Sequence, residues 1–365
     1  MSCFYFTNID VRSTRAHVSQ VLHTVDACSL LTLVAPRYPG TDLETIKRRH
    51  DLTHELKAVF LWNFGIRSPG IFSFVVFNLS AMLFLLVKKM QGEADGIYIR
   101  SSYFVPLVFM AFMLRVPCFY ETHRRPMSFS ERLRDWFVAH IAIGYVAVSE
   151  QVRRYYARYP ARAIVVHDAV ALRRFSVHTL KEDARARLGM KRDQRVCVYT
   201  GAVSALKGVD CLVSAARLLP RVSFLLAGRI NPEFEIVPMP PNVILMGERE
   251  QSELPVLLSA ADVLVLPHPD NDYSQSPMKL FEYMASGVPI VASRLPSLEE
   301  VLNDRNAVLV RAGSAEALAT GITQVLNDCT RAEALGAQAR CDVEAYTWEA
   351  RGEKIARLVR ETLKA

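Results

Sequence analysis

Glycine is sparse in this chain and proline no more than ordinary, 16 and 18 of 365 residues, which leaves no room for a collagen-like repeat or a long low-complexity tract. The seven cysteines are scattered and form no Cys-x-x-Cys pair. That excludes a zinc ribbon and a disulfide framework, and favours a reducing compartment. No Gly-x-Gly-x-x-Gly follows an apolar run, which argues against a dehydrogenase. The amino terminus lacks a basic start followed by an apolar stretch, so no secretory signal is expected and a cytoplasmic protein is. What is present is a large apolar fraction, 51%. It is enough for a sizeable core and, at this length, for two domains.

Charge is unevenly distributed. Between Arg100 and Phe175 there are twelve arginines, no lysine and five acids, an excess of seven that equals the formal +7 of the whole chain. Arginine suits bidentate contact with phosphate or carboxylate. The stretch reads as a solvated basic face, as a surface for anionic membrane, or as a site for a phosphate-bearing substrate. Nucleic acid is disfavoured because no recognition motif accompanies the arginines. Just upstream, Ser68 to Val87 is a run of twenty residues without a charge, closed by Lys88 and Lys89. Pro69 and Gly70 belong at a helix start, and Asn78 and Ser80 interrupt the middle. A buried helix, an interfacial helix and a span all remain open, with peripheral attachment preferred to insertion. The run Tyr103 to Leu114 is too short to span.

Short β-rich runs alternate with helical stretches, the pattern of stacked βα units on parallel sheets. Residues 4–9, 29–35, 96–99, 117–121, 145–149 and 163–167 read as strands of a first domain. Residues 196–200, 222–227, 243–246, 263–267, 288–292 and 307–310 read as strands of a second. The expected organisation is residues 1–168, a hinge over 169–192, a second domain over 193–345, and a carboxy-terminal helix over 346–365 packing back on the first domain. Two such Rossmann-like domains imply a ligand beside the carboxyl ends of the strands.

The most informative segment runs from Ser274 to Ser293, SQSPMKLFEYMASGVPIVAS. Ser276 then Pro277 reads as an N-cap followed by proline at the first helical position. A strand, a loop and an open helix start make an anion site. Glu282 lies where it could reach a ligand's hydroxyls, or merely pair with Lys279 at i, i+3. Gly287 is expected to end the helix.

This segment resembles the donor motif of retaining glycosyltransferase family 4, in a bacterial subgroup reading S-P-x-K-x-x-E-Y-M-A. The resemblance extends to Tyr199–Gly208 (YTGAVSALKG) and to Tyr346-Thr347-Trp348. It implies an α/β protein of GT-B fold, two Rossmann-like domains facing across a cleft, acting as a hexosyltransferase. The donor would be a UDP- or GDP-sugar and the acceptor a hydroxyl of a cell-envelope or lipid-linked glycan, with no cofactor and no metal. By the same resemblance Lys207 would hold the donor diphosphate and Glu282 the ribose, and Ser276, Pro277 and Met278 would present helix amides to phosphate. Gly201, Ser274 and Lys279 complete the donor set. Glu121-Thr122-His123 resembles a segment whose histidine contacts the transferred sugar, and Arg100 resembles an arginine near the cleft. The catalytic set is therefore Lys207, His123 and Glu282.

Several positions depart from the family pattern. The first carboxylate of a Glu-x7-Glu pair is replaced by Ser274. The arginine that accompanies the diphosphate lysine would fall at Ala202. A glycine-rich amino-terminal loop is replaced by Ile9–His17, where Arg12 and Arg15 could serve an anionic acceptor. Asp270-Asn271-Asp272 looks like the metal-binding Asp-x-Asp of the other glycosyltransferase fold, but the resemblance to GT-B enzymes implies that Lys, Arg and helix dipoles stabilise the leaving diphosphate, which makes metal dependence the lesser reading. His268 and Tyr273 would line the sugar pocket. A nucleotide-sugar epimerase on the same fold, or a weakly catalytic scaffold subunit, stands as the alternative.

Overall fold

The alternating apolar runs build two doubly wound parallel sheets. The computed structural model describes residues 1–13, 15–63, 70–176, 179–235, 238–271 and 276–364. The chain forms two units, one of Met1–Asp168 with Trp348–Ala365 and the other of Ala169–Thr347.

In the first unit the elements are β1 (Cys3–Phe6), α1 (Ala16–Ala27), β2 (Leu31–Pro36), α2 (Leu43–His50), β3 (Ala58–Leu61), α3 (Ile71–Met90) and β4 (Gly96–Ile99). They continue with α4 (Val105–Met113), β5 (Cys118–Thr122), α5 (Phe129–Ile141), β6 (Gly144–Ala147), α6 (Glu150–Tyr156) and β7 (Arg162–Val165). The strand order is β3-β2-β1-β4-β5-β6-β7, all parallel. The seventh strand, β3, is absent from the sequence reading. It is an edge strand of four half-buried residues, and so carries no strong burial pattern.

The second unit holds α7 (Lys181–Arg187), β8 (Arg195–Thr200), α8 (Val209–Leu218), β9 (Val222–Ala227), β10 (Val243–Gly247), α9 (Leu254–Ser259) and β11 (Val263–Leu266). After these come α10 (Met278–Ser286), β12 (Ile290–Arg294), α11 (Pro296–Glu299), β13 (Val308–Arg311), α12 (Ala315–Asn327) and α13 (Cys329–Asp342). The order is β10-β9-β8-β11-β12-β13, again parallel. Helix α14 (Trp348–Lys364) closes the chain and packs on α1 and β6 of the first unit. The stretch 169–192 contains α7, whose buried Arg185 pairs with Asp262 at 2.7 Å, and it belongs to the second unit.

Each sheet carries a core on both faces. In the first unit, α3, α4, α5 and α6 cover one face with Phe77, Leu107, Val138 and Tyr156. Helices α1 and α14 cover the other with Leu22, Ile355 and Val359. Helix α3 runs for 20 residues, from Ile71 to Met90. Asn78 does not interrupt it, because its amide donates to the Phe74 carbonyl one turn back at 2.9 Å. Ser68 and Pro69 lie outside the described residues.

Strand order reverses between β1 and β4 in one unit and between β8 and β11 in the other. At such switch points adjacent loops leave the sheet in opposite directions and open a crevice beyond the strand ends. The described loop residues there are 7–13, 15 and 100–101 in the first unit, and 201–207 and 267–271 in the second.

Candidate functional site

At the switch point of the second unit, backbone geometry and charge act together. Strand β8 ends at Thr200, and Gly201 follows at φ 120°, a region open to glycine alone. Its missing side chain makes room for Lys279. A Cβ there would stand 2.6 Å from the Lys279 Nζ. Gly208, at φ 73°, joins the turn carrying Lys207 to α8, and a Cβ there would meet the Pro267 carbonyl oxygen at 1.8 Å. The β8 loop and the β11 loop are thereby pressed together.

Lys279 reaches under this crevice from the first turn of α10. Its Nζ lies 4.0 Å from the Tyr199 ring centroid, is sealed from solvent, and has no hydrogen-bond partner among the described residues. The pairing with Glu282 that i, i+3 spacing allows is therefore not made. Burial, then the charge of Lys207, push the Lys279 amine well below its ordinary pKa, and burial lowers Lys207 as well. His268, just past β11, is wholly buried, and neither ring nitrogen has a partner among the described residues. Burial and the two lysines keep it neutral. Glu282 is half-buried. Burial raises its pKa, against the lowering pull of Arg174 and Lys279.

The start of α10 differs from the expectation by one residue. Pro277, in an extended conformation, is the N-cap, Met278 is the first helical residue, and no side chain caps the turn. The Pro277 carbonyl accepts the first intrahelical bond, from the Leu280 amide at 2.9 Å. A proline carbonyl can do this although its nitrogen has no hydrogen, so Ser276 is left just outside the helix. The amides of Met278 and Lys279 precede that bond, as first-turn donors do in any α-helix. Gly287 ends the helix at φ 72°. Because Pro289 follows it, β12 begins at Ile290, two residues later than the sequence suggests. Ser274, Asp272 and Tyr273 lie outside the described residues; Asp270 is exposed, and Asn271 donates to the Leu206 carbonyl at 3.1 Å.

The first unit gathers a different set. The period-two pleat of β5 turns Glu121 toward α1 and α14. There its carboxylate accepts from Tyr98 Oη at 2.6 Å, His123 Nε2 at 2.5 Å and Arg351 Nη2 at 2.8 Å. Arg351, on α14, also donates to Thr24 Oγ1 at 3.1 Å and to the Val166 and His167 carbonyls, both at 2.7 Å. Burial alone would raise the Glu121 pKa. The Arg351 guanidinium and the His123 hydrogen bond outweigh it and hold the carboxyl far below the usual range. His123 is lowered by burial and by Arg100, against Glu121. Its tautomer follows from its partners: Nε2 donates to Glu121, and Nδ1 accepts from Arg100 Nη2 at 3.3 Å. Both nitrogens are engaged, so in this arrangement the ring is oriented and does not offer a free base.

Arg100 also donates to Gln20 and to the His17 carbonyl, and with His123, Ser102 and Arg125 lines a cavity of about 170 Å³ at the ends of β4 and β5. Arg12 clasps Asp10 through two bonds of 2.8 Å and stacks over Tyr38, so its charge is already matched. Arg15 is exposed at the N-cap of α1. The structure thus brings Arg100 and His123 together in one unit, and Gly201, Lys207, Met278, Lys279 and Glu282 in the other.

Four contributors were missed by the sequence reading: Arg351, Glu121 as its partner, Tyr199 and Arg174. Arg351 left a usable trace. It falls on the apolar stripe of α14 with Ile355 and Leu358, and a charge on a buried stripe implies a buried partner.

Residues 194–328 match the family described as "Glycosyl transferases group 1". The D-inositol 3-phosphate glycosyltransferase of Mycobacterium tuberculosis (strain H37Rv) is 28% identical over 207 residues, 52% of this chain and 42% of that protein. The match thus spans less than half the length of this relative. Among solved structures, the sucrose-phosphate synthase of Thermosynechococcus elongatus superposes over the full length of both chains with a TM-score of 0.80 at 19% identity. The fold is GT-B. Anabaena HepE, solved with UDP and glucose, gives a TM-score of 0.75 at 16% identity over 99% of this chain and 100% of its own. WaaG, a glycosyltransferase involved in lipopolysaccharide biosynthesis, gives 0.69 at 14%, covering 98% of this chain and 99% of its own. These likenesses establish the GT-B fold, and the family match lies within the unit that holds Lys207, Lys279 and Glu282.

Proposed function

We propose that this chain is a retaining glycosyltransferase that moves a hexose from a UDP- or GDP-sugar to a hydroxyl of a cell-envelope or lipid-linked glycan. The observation that carries the reading is the buried Lys279 amine, without a hydrogen-bond partner among the described residues, within electrostatic reach of Lys207. Burial lowers both amines, the charge of Lys207 lowers Lys279 further, and an anion with two phosphates relieves both costs. That a UDP-glucose complex exists for HepE supports a nucleotide-sugar donor on this fold.

In this reading the diphosphate rests against Lys207, Lys279 and the first amides of α10, and Glu282 accepts hydrogen bonds from ribose hydroxyls. The bond between the anomeric carbon and the phosphate oxygen breaks. Negative charge grows on the leaving diphosphate, where the two ammonium groups offset it without a metal ion. The acceptor hydroxyl attacks from the face the phosphate leaves, and its proton passes to a phosphate oxygen, which retains the anomeric configuration. His123 and Arg100 serve the acceptor side, with Glu121 and Arg351 holding them.

The test is turnover of UDP- and GDP-hexoses with glycan acceptors, in EDTA, with the product anomer read by NMR. Lys207→Ala is expected to lower kcat by about 100- to 1,000-fold, and Glu282→Ala to weaken nucleotide binding in a thermal-shift assay. Wild-type kinetics in both variants would remove the donor site from this place. A free sugar nucleotide formed without acceptor would replace the transferase reading with an epimerase.

A further inference from the structure

Helix α3 is apolar on both sides. Its inner side, Phe77, Ala81 and Leu85, is sealed against the sheet of the first unit. Its outer side presents Phe72, Val75, Leu79, Leu83, Leu86 and Met90 at steps of three and four residues, one continuous stripe. Leu79 and Leu83 are each 63% exposed and Met90 81%. The helix is long and apolar enough to cross a membrane by length and composition, with a mean hydropathy of 2.1 over its best window. Its contacts with β2, β3 and α4 hold it flat on the unit instead.

The same surface continues across its neighbours. Helix α4 touches both α3 and α5, and exposes Phe109 and Phe112. Helix α5 adds Phe129, Leu133 and Trp136 at i, i+4 and i+7, with Phe129 81% exposed. No acid occurs on α3 or α4. The acids nearby are already used: Glu131 by Arg124, Glu150 by Arg153 and Arg154, Glu93 by Lys88, and Asp135 by buried tyrosines. Among the described residues no ion pair involves Lys89, Arg115, Arg132 or Arg158, which lie on or beside these helices. An apolar centre with a cationic surround is therefore left over after internal pairing.

We infer that the outer face of α3, α4 and α5 docks on an anionic phospholipid bilayer, lying in the plane of the interface. At 1.5 Å per residue α3 alone lays about 30 Å of apolar stripe along the surface. Phenylalanine, leucine and tryptophan reach the acyl boundary while the arginines and Lys89 meet lipid phosphates. A second copy of the chain is a poorer occupant, since an isologous contact would set these unmatched cations against one another. The inference stands apart from the chemistry proposed above.

Cosedimentation of the full-length chain with vesicles of phosphatidylglycerol and phosphatidylcholine, and with phosphatidylcholine alone, tests it. Binding is expected to the anionic vesicles and to weaken with salt. The double variant Leu79→Ser, Leu83→Ser, which removes two exposed side chains, is expected to lower partitioning about tenfold or more. Arg132→Glu, at an exposed position, is expected to weaken binding to anionic vesicles selectively. Failure of the wild type to bind, or equal binding by both variants, overturns the inference. So does a dimer in light scattering that the leucine variant turns into a monomer, which would make this face a protein interface.

Discussion

Removing Arg351 isolates one buried carboxylate. Arg351 is 2% exposed, as is the side chain of its partner Glu121, at 2.8 Å. Arg351→Met leaves Glu121 with only Tyr98 and His123 and strands the Thr24, Val166 and His167 acceptors. Breaking a buried pair by taking one partner costs about 3–5 kcal/mol, roughly 6–20 °C in Tm for a unit of this size. The sign of the pH dependence is specific. The folded-state pKa of Glu121 is held below its unfolded value of about 4.3. Its pairing therefore stabilises fully above that value, and the benefit fades as pH falls through the lower folded one. In Arg351→Met burial dominates, and the folded carboxyl prefers its proton. The gap between the two proteins should be widest near neutrality and narrow on acidification. Calorimetric unfolding across pH reads it, and adding Glu121→Gln to Arg351→Met should return about 1–3 kcal/mol as coupling. A gap independent of pH, or losses that simply add, would refute the argument that the ion pair, and not packing alone, holds α14 to β5.

The depressed Lys279 and Lys207 amines predict proton uptake when a nucleotide diphosphate sugar binds, because the bound anion raises both. Affinity should fall as pH rises through the free lysines' lowered pKa, and in the range below the ordinary lysine pKa of about 10.4 the binding enthalpy should depend on the buffer's ionisation enthalpy; a flat profile in both measurements counts against two lysines at the phosphates. Gly208→Ala forces a Cβ to within 1.8 Å of the Pro267 carbonyl oxygen at φ 73°. It is expected to cost at least about 1–3 kcal/mol in urea unfolding and to weaken nucleotide binding, and an unchanged midpoint would show the β8 and β11 loops to be more yielding than described. Arg12→Ala is expected to lower stability more than acceptor turnover, because Arg12 already spends its charge on Asp10; the reverse ranking in paired melting and rate assays would restore it to the acceptor side.

Legibility followed the range of the interactions. Apolar runs of four to six residues are local, so nearly every strand could be placed by reading along the chain, and order within βα units follows from chain connectivity. The segment proposed to hold the donor was equally readable, because a helix start, Lys279, Glu282 and Gly287 all lie within eleven positions. The edge strand β3 escaped because half-burial leaves a weak pattern. The one-residue shift at Pro277 escaped because N-cap and first-turn roles differ only by a ψ rotation.

Composition and periodicity by themselves determined the class of fold and the presence of two parallel sheets. Tertiary structure alone decided which charges stay unmatched. Lys279 makes no hydrogen bond among the described residues because Gly201 lets it slide under β8 toward Tyr199. Arg351 meets Glu121 across 230 positions of sequence. Such pairings cost chain entropy that no local pattern records, and they become visible only when the packing that offsets that cost is in place.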